Sequence, residues 1–290
     1  MICLNKFAGI IGYPLSHTLS PSMHNFIYQK LGIDVEYKKW EISPNNLKSH
    51  IEKINNENFI GANITVPYKE KIVPLLDEIR NEAKFTGAVN TIVKNNNKLI
   101  GYNTDVYGIE QTLDIKLKND VINNAVIFGA GGAAKAAFFV LLQRGLNNLT
   151  IVNRTKSNAL KMISKFNNVN CDQTIITLNE KSQIKSACLS ADLIINTTIL
   201  GMKGSGYEDI SPIDSTFIDS NSVIFDMVYN PTKTPLIKIA LERNANIIEG
   251  LNMLVYQAIK SIELWTGIRP SFDDMYSKCK EILEGKLNNE

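Results

Sequence analysis

The run Ala125-Val-Ile-Phe128 is apolar and passes directly into Gly129-Ala130-Gly131-Gly132-Ala133-Ala134, then into an alanine-rich stretch. Residues of these types in this order can hold a pyrophosphate. Gly129 permits a tight turn, Gly131 removes the Cβ that would keep phosphate oxygens off the backbone, and a helix starting here aims unpaired N–H groups at negative charge. Ala134 takes the third glycine position of that pattern. A glycine turn alone is weak evidence, because any strand-to-helix turn can use glycine. Here Leu149-Thr-Ile-Val152 reads as the next strand and completes a βαβ unit of about 30 residues, the size expected of a dinucleotide fingerprint. Where such a unit usually sets an acid against a ribose 2′-hydroxyl, the chain has Asn153-Arg154-Thr155-Lys156. Two cations and two hydrogen-bonding side chains suit a 2′-phosphate, which a carboxylate would repel, so the expected cofactor is NADP rather than NAD. The plainer alternative is a solvated basic turn.

Polar residues also stand in the first third where strand or core residues are expected: Asn63 and Thr65 in Asn-Ile-Thr-Val-Pro-Tyr-Lys69, Asn90 in Ala-Val-Asn-Thr, and Asp105 in Gly-Tyr-Asn-Thr-Asp. Singly, each has a structural explanation. Asn63 and Asn90 fit turns or edges, Asp105 fits the N-cap of a helix beginning at Val106, and Lys69 fits a solvated first turn. Asparagine is disfavoured in strands and needs local hydrogen-bond partners there. Taken together, groups that read hydroxyls and amides, with one lysine and one aspartate, suit a polyhydroxylated small molecule beside a nicotinamide. Oxidising an alcohol by hydride transfer needs a base for the hydroxyl proton, and a lysine beside an aspartate can hold and pass that proton.

The elements that must position these residues follow from hydrophobic periodicity. Phe7–Ile11 reads as a strand, Ser20-Pro21 as the capped start of an amphipathic helix carrying Met23, Phe26, Ile27 and Leu31, and Ser43-Pro44 as another helix start. Phe59–Ile64 reads as a strand. It ends at Val66-Pro67, where a new helix is expected with Lys69 in its first turn. Ala88–Val93 and Lys98–Tyr102 read as strands joined at Asn95-Asn-Asn97. Further buried strands are expected at Ala191–Asn196 and Ser222–Asp226, so the middle of the chain is a doubly wound α/β sheet. After Gly250 the pattern is helical, with Leu254, Ala258, Ile262 and Trp265 near helical spacing before Gly267 and Pro270 interrupt it. These last helices are expected to return to the first domain. The expected division is residues 1–106, 107–250 and 251–290.

The chain has 290 residues, 44% of them hydrophobic, enough to bury cores for two ordinary domains. A net charge of +2 with interspersed signs offers no basic stripe, so nucleic acid is not an expected partner. No apolar run reaches membrane-spanning length and the N-terminal residues carry no signal pattern, so a cytoplasmic protein is expected. Cys3, Cys171, Cys188 and Cys279 are isolated in sequence, which suggests reduced thiols and no metal site.

Several blocks occur in order along nearly the whole chain: Gly12-Tyr-Pro-Leu-Ser-His-Thr18-Leu-Ser20-Pro, Ala62-Asn-Ile-Thr-Val-Pro-Tyr-Lys69, Gly87-Ala-Val-Asn90-Thr, Asn103-Thr-Asp105, the Gly129 turn, Asn153-Arg-Thr and Gly250-Leu-Asn-Met-Leu-Val-Tyr-Gln257. In these the sequence resembles the shikimate dehydrogenases. The resemblance implies an N-terminal α/β substrate domain plus a Rossmann-like NADP-binding domain, and the reversible NADPH-linked reduction of 3-dehydroshikimate to shikimate in the chorismate pathway. It implies Lys69 and Asp105 as the catalytic pair, Thr18 and Ser20 as hydroxyls holding the substrate carboxylate, and Thr65, Asn90, Tyr229 and Gln257 as further substrate contacts. On the cofactor side it implies Gly129, Ala130, Gly131, Gly132, Ala133, Asn153, Arg154, Thr155, Lys156, Thr197, Met227 and Gly250. Neither His17 nor His24 matches a catalytic group; His17 is expected to structure its loop. Two positions depart from the family pattern: Thr18 replaces the first serine of Ser-x-Ser, and Asn252 replaces the glycine between Leu251 and Met253. A broader quinate/shikimate dehydrogenase and a non-catalytic ligand sensor on the same scaffold are the alternatives. An NAD-preferring quinate enzyme would carry an acid near Arg154, and a sensor would lack Lys69 or Asp105. Monomer and homodimer are both compatible with the sequence.

Overall fold

A computed structural model of the chain describes residues 6–15, 18–117, 121–166 and 169–285; Cys3, the rest of the N-terminal stretch 1–5, and His17 lie outside them. The chain divides into two compact units, residues 1–108 with 255–290, and residues 109–254.

The first unit is built on a mixed sheet. β1 (Lys6–Gly12) lies between β2 (Val35–Glu41) and β3 (Phe59–Ile64), parallel to both. Beyond β3 the order continues through β5 (Thr91–Asn95) and β6 (Lys98–Tyr102) to the short β4 (Glu78–Ile79). β5 runs antiparallel to both β3 and β6. Residues Ala8–Gly12 are buried without alternation, the signature of a strand covered on both faces. The β5–β6 turn uses Asn96 at φ +54°, a left-handed conformation that asparagine tolerates through local hydrogen bonding.

Helices α1 (Ser20–Leu31), α9 (Gly250–Thr266) and α10 (Phe272–Leu283) contribute to this unit, α9 from Val255 onward. Val255, Ala258, Ile259 and Ile262 form the buried stripe of α9. Trp265 Nε1 donates to the Ile92 carbonyl at 2.8 Å, and Gly61 leaves room for the indole: a Cβ there would stand 2.2 Å from Nε1. His24 on α1 is fully buried, its ring stacked on Tyr37 at 4.0 Å with an interplanar angle of 17°.

Three local expectations are corrected. Ser20 does not cap α1; Leu19 occupies the N-cap without a side-chain bond, and Ser20 is already inside the helix. No helix follows Pro67. The segment forms turns, with Tyr68 N–H bonded to the Thr65 carbonyl and Ile72 N–H to that of Tyr68, before a 3-10 turn at Val73–Leu75. The physical reason is twofold. Pro74 cannot donate to residue 70, and the Lys69 carbonyl is taken by Val89 N–H at 2.7 Å, a tertiary bond. Finally, the strand expected from Ala88 begins at Thr91, because Asn90 is turned into a side-chain network instead.

The second unit is an all-parallel sheet of β7 (Asn124–Phe128), β8 (Asn148–Val152), β9 (Asp172–Ile176), β10 (Leu193–Asn196), β11 (Val223–Asp226) and β12 (Asn246–Glu249). Its strand order is β12-β11-β10-β7-β8-β9. This is the doubly wound order, with the switch point between β7 and β10. α5 (Gly132–Gln143), α6 (Lys156–Ile163), α7 (Lys181–Leu189) and α8 (Pro235–Glu242) connect the strands. Apolar side chains of the strands, among them Val126, Phe128, Val152, Ile194 and Ile224, form its core. No helix of the described residues is long and apolar enough to cross a membrane.

Candidate active site

In the first unit, β3 delivers Thr65 at its carboxyl end, and the turn beyond carries Lys69. Thr65 N–H bonds to the Ile11 carbonyl at 2.9 Å, and the buried Tyr68 donates its hydroxyl to the Ile42 carbonyl, so the turn is anchored on either side of Lys69. α4 (Thr104–Leu117) delivers Asp105. Asp105 is not an N-cap, because the helix begins one residue before it. Asn103 performs that task, its Oδ1 accepting from Asp105 N–H at 3.2 Å, which leaves the aspartate carboxylate free to face other groups.

Lys69 Nζ lies 2.5 Å from Asp105 Oδ2, and Asn90 Nδ2 donates to Asp105 Oδ1 at 2.8 Å. The Asp105 side chain is 5% exposed and that of Lys69 17%. A lysine–aspartate pair with so little solvent around it has few competing partners, so its geometry is set by the protein. The Asn90 amide is oriented without ambiguity, since its Oδ1 accepts from Thr104 N–H at 2.6 Å and its Nδ2 must therefore face Asp105.

Asn63, expected at a turn or edge, sits instead in the interior strand β3. There it donates to Thr91 Oγ1 at 3.0 Å and to Ser261 Oγ at 2.9 Å, and accepts from Tyr37 at 2.6 Å. Thr18 is half-buried and Ser20 buried, with Ser20 N–H bonded to Thr18 Oγ1 at 3.3 Å, so the two hydroxyl residues are neighbours. Gln257 is buried on α9 in the same unit. Tyr229 belongs to the second unit, in the half-buried loop after β11.

The glycine turn in the second unit tests whether NADP fits. Gly129 has φ +110°, which disfavours any L side chain, and a Cβ there would lie 2.4 Å from Thr197 Oγ1. Thr197 in turn donates to the Phe128 carbonyl at 2.6 Å, tying the end of β10 to that of β7. Gly131 is different: it is exposed, and a Cβ on it would meet no protein atom within 4 Å. Internal packing therefore does not require glycine there, whereas an approaching ligand would. α5 opens with no side-chain cap and no acid in its first turn, so its N–H groups face an anion site undiluted by negative charge. Asn153 Nδ2 bonds to the Thr155 carbonyl at 2.8 Å and shapes the β8–α6 turn, where Arg154, Thr155 and Lys156 are exposed. Met227 N–H bonds to the Asn196 carbonyl at 3.0 Å, and a Cβ on Gly250 would lie 2.5 Å from the Met227 carbonyl oxygen. Asn252 sits in the first turn of α9, its Nδ2 bonded to the Glu249 carbonyl at 3.3 Å.

Sequence reasoning missed two buried groups. Ser261 lies on the buried stripe of α9, where a hydroxyl among Ala258, Ile262 and Trp265 was a legible signal. Asp226 at the end of β11 is fully buried, accepts from Asn196, Val228 N–H and Thr234, and has its carboxyl pushed up to about 6 by burial.

The chain matches the shikimate dehydrogenase substrate binding domain over residues 10–92, the shikimate / quinate 5-dehydrogenase family over 113–203, and the shikimate 5'-dehydrogenase C-terminal domain over 250–280. It is 40% identical over 267 residues, 91% of this chain and 92% of the other, to the shikimate dehydrogenase (NADP(+)) of Halothermothrix orenii. Its fold superposes on the Thermus thermophilus shikimate 5-dehydrogenase in complex with NADP(H) and shikimate with a TM-score of 0.82 at 29% identity, covering 95% of this chain and 99% of that one. The quinate dehydrogenase of Corynebacterium glutamicum in complex with NAD gives a TM-score of 0.86 at 27% identity, over 96% and 99% of the two chains.

Proposed function

The chain belongs to the shikimate dehydrogenase family, and from that premise we propose that Lys69 and Asp105 are its catalytic pair, acting on the substrate hydroxyl that is oxidised. The protein is an NADP-dependent oxidoreductase interconverting 3-dehydroshikimate and shikimate, a step of the chorismate pathway. The observation that carries the assignment is the 2.5 Å contact between Lys69 Nζ and Asp105 Oδ2, with Asn90 on the other carboxylate oxygen.

A cofactor held at the glycine turn would supply the hydride chemistry, as acceptor in its oxidised form and as donor in its reduced form. Everything else falls to the protein's own groups. In the oxidation direction Lys69 acts as the neutral amine, taking the hydroxyl proton as the alcohol becomes a ketone and becoming the ammonium that Asp105 holds in place; in the reverse direction that ammonium gives the proton back. Thr18 and Ser20 hold the ring carboxylate through hydroxyls, and Thr65, Asn90, Tyr229 and Gln257 read the remaining polar edges of the substrate. NADP is held by Gly129 through Ala133 at the pyrophosphate and by Asn153 through Lys156 at the 2′-phosphate, with Thr197, Met227 and Gly250 lining the remainder. Apart from Tyr229, the groups assigned to the substrate belong to the first unit, and those assigned to the cofactor belong to the second. The reaction takes place in the cytoplasm, with the protein as a monomer or homodimer.

Shikimate is preferred to quinate. Quinate carries an additional tertiary hydroxyl beside the carboxylate, and a pocket without a partner for it leaves a polar group unpaired, at about 1–3 kcal/mol. Following NADPH absorbance with shikimate and with quinate, each with NADP and with NAD, tests the whole reading. The expected result is a clear maximum for shikimate with NADP; comparable specificity constants for the two acids overturn the substrate assignment.

A further inference from the structure

Ser261 is buried to 0% exposure on α9, far along the chain from the catalytic pair, yet it meets the groups that hold the pair. Its Oγ lies 3.2 Å from Thr104 Oγ1, 2.9 Å from Thr91 Oγ1, 2.9 Å from Asn63 Nδ2 and 3.0 Å from the Gln257 carbonyl oxygen. Asn63 is held from behind by the Tyr37 hydroxyl at 2.6 Å. We propose that Ser261 is a positioning residue, fixing through Thr104 the amide of Asn90 that orients the Asp105 carboxylate. The proposal rests on the reading of Lys69 and Asp105 as the catalytic pair.

Asn90 has two amide protons, one given to Asp105 Oδ1 at 2.8 Å and one to Thr104 Oγ1 at 3.0 Å. Ser261 donates to the Gln257 carbonyl, so its 3.2 Å contact with Thr104 is a bond in which Thr104 donates; Thr91 Oγ1, 3.0 Å from Thr104, is the neighbouring hydroxyl. Thr91 gives its proton to Asn90 Oδ1 at 3.1 Å, beside the Thr104 N–H already there. Ser261 Oγ then accepts from Thr104 and from Asn63, which completes its capacity. The hydroxyls of Thr91, Thr104 and Ser261 lie within 2.9–3.2 Å of one another, and through them Asn90 is linked to the backbone of α9. Buried chains of this kind strengthen one another and fix a single arrangement.

Without the Ser261 hydroxyl, the Thr104 proton is left to Thr91 Oγ1 at 3.0 Å or to Asn90 Oδ1 at 3.2 Å, so the Thr104 hydroxyl that receives the second Asn90 amide proton loses its fixed orientation. Asn90 keeps its Oδ1 on the Thr104 N–H but is held less firmly at its amide nitrogen. The carboxylate it holds loosens, and proton transfer is sensitive to displacements well below 1 Å. The same hydroxyl bonds to the carbonyl of Gln257, so the residue ties a substrate-contact helix to the catalytic pair.

Ser261→Ala, and Thr104→Val, which keeps side-chain volume, each test this by steady-state kinetics well below the melting temperature. Each is expected to lower kcat/KM for shikimate roughly three- to tenfold, the rate equivalent of one neutral hydrogen bond, while KM for NADP stays unchanged. The double variant should be no worse than the poorer single one, because both act through one chain. Thr104→Val alone decides the matter if Ser261→Ala does not fold. Wild-type kcat/KM in the folded variants, multiplicative losses in the double variant, or an equal rise in KM for NADP overturns the positioning role. Lys69→Ala in parallel separates the two readings: near-normal kcat in that variant overturns the catalytic assignment, whereas its loss with wild-type behaviour at Ser261 and Thr104 overturns only the positioning one.

Discussion

At the level of single residues, the proposed chemistry turns on the contact between Lys69 and Asp105, and the proposed nucleotide preference on the β8–α6 turn. General acid–base catalysis contributes about 10²–10⁴ in rate, so Lys69→Ala should lower kcat by a factor in that range; if Thr65, Asn90 and Gln257 hold the substrate as proposed, KM for shikimate should move far less. Adding Asp105→Ala should cost much less than the product of the two single losses, because the groups lie 2.5 Å apart and act as a unit. Strictly multiplicative losses in variants shown to be folded by circular dichroism would separate the two roles. On the cofactor side, Arg154 is exposed in the β8–α6 turn. A charge-assisted hydrogen bond is worth about 1.5–3 kcal/mol, so Arg154→Ala should weaken NADP binding roughly ten- to a hundredfold and leave NAD binding nearly unchanged. Titration calorimetry with both nucleotides checks this, and equal loss for both would make Arg154 a structural residue.

At the level of elements, the two glycines of the β7–α5 turn should behave differently. Gly129 combines a φ of +110° with Thr197 Oγ1 only 2.4 Å from where a Cβ would stand. Gly129→Ala should therefore destabilise the fold by about 1–3 kcal/mol. Gly131 has no protein atom within 4 Å of that position. Gly131→Ala should leave the melting temperature unchanged and weaken NADP binding, since the new methyl group would occupy the face through which, on the proposed reading, phosphates reach the backbone. Unaltered NADP affinity in Gly131→Ala would remove the pyrophosphate cradle from the account. In the first unit, the missing helix after Pro67 shows tertiary hydrogen bonding overriding a local start signal: the Val89 N–H bond holds the Lys69 carbonyl in a turn, from which the side chain meets Asp105.

For the molecule as a whole, buried titratable groups make the two units respond to acid with opposite sign. Burial among Tyr28, Tyr37 and Trp265 lowers the His24 imidazole from 6.5 to about 3, so the native state keeps it neutral. As pH falls below 6.5, the unfolded chain binds a proton that the native state refuses until about 3, and the first unit loses stability across that window. Asp226 in the second unit is raised from 3.8 to about 6, so its contribution is fully present below 3.8 and is lost as pH rises through about 6. Both tryptophans, Trp40 and Trp265, lie in the first unit, so tryptophan fluorescence reports that unit. The difference in unfolding free energy between wild type and His24→Phe, followed by this signal, should change by about 1.4 kcal/mol per pH unit below 6.5 and be flat above it. A difference independent of pH would show that His24 protonates freely in the folded state.

The amino-acid sequence by itself determined the elements that rest on local physics. Apolar runs gave the strands at Phe59–Ile64 and Lys98–Tyr102, the asparagine turn gave the hairpin, and the glycines after Phe128 gave the strand-to-helix turn with basic residues after the next strand. These features act over a few residues, so their periodicity and side-chain chemistry are visible without coordinates. Only the tertiary structure decided what depends on long-range contact. Lys69 meets Asp105 across 36 positions, and Asn63 meets Ser261 across 198. Asp226 is buried under loops that its own hydrogen bonds hold in place. Nothing in the local sequence sets such distances. They follow from sheet register and helix docking, which carry a hydroxyl on α9 and an amide on β3 to within hydrogen-bonding range.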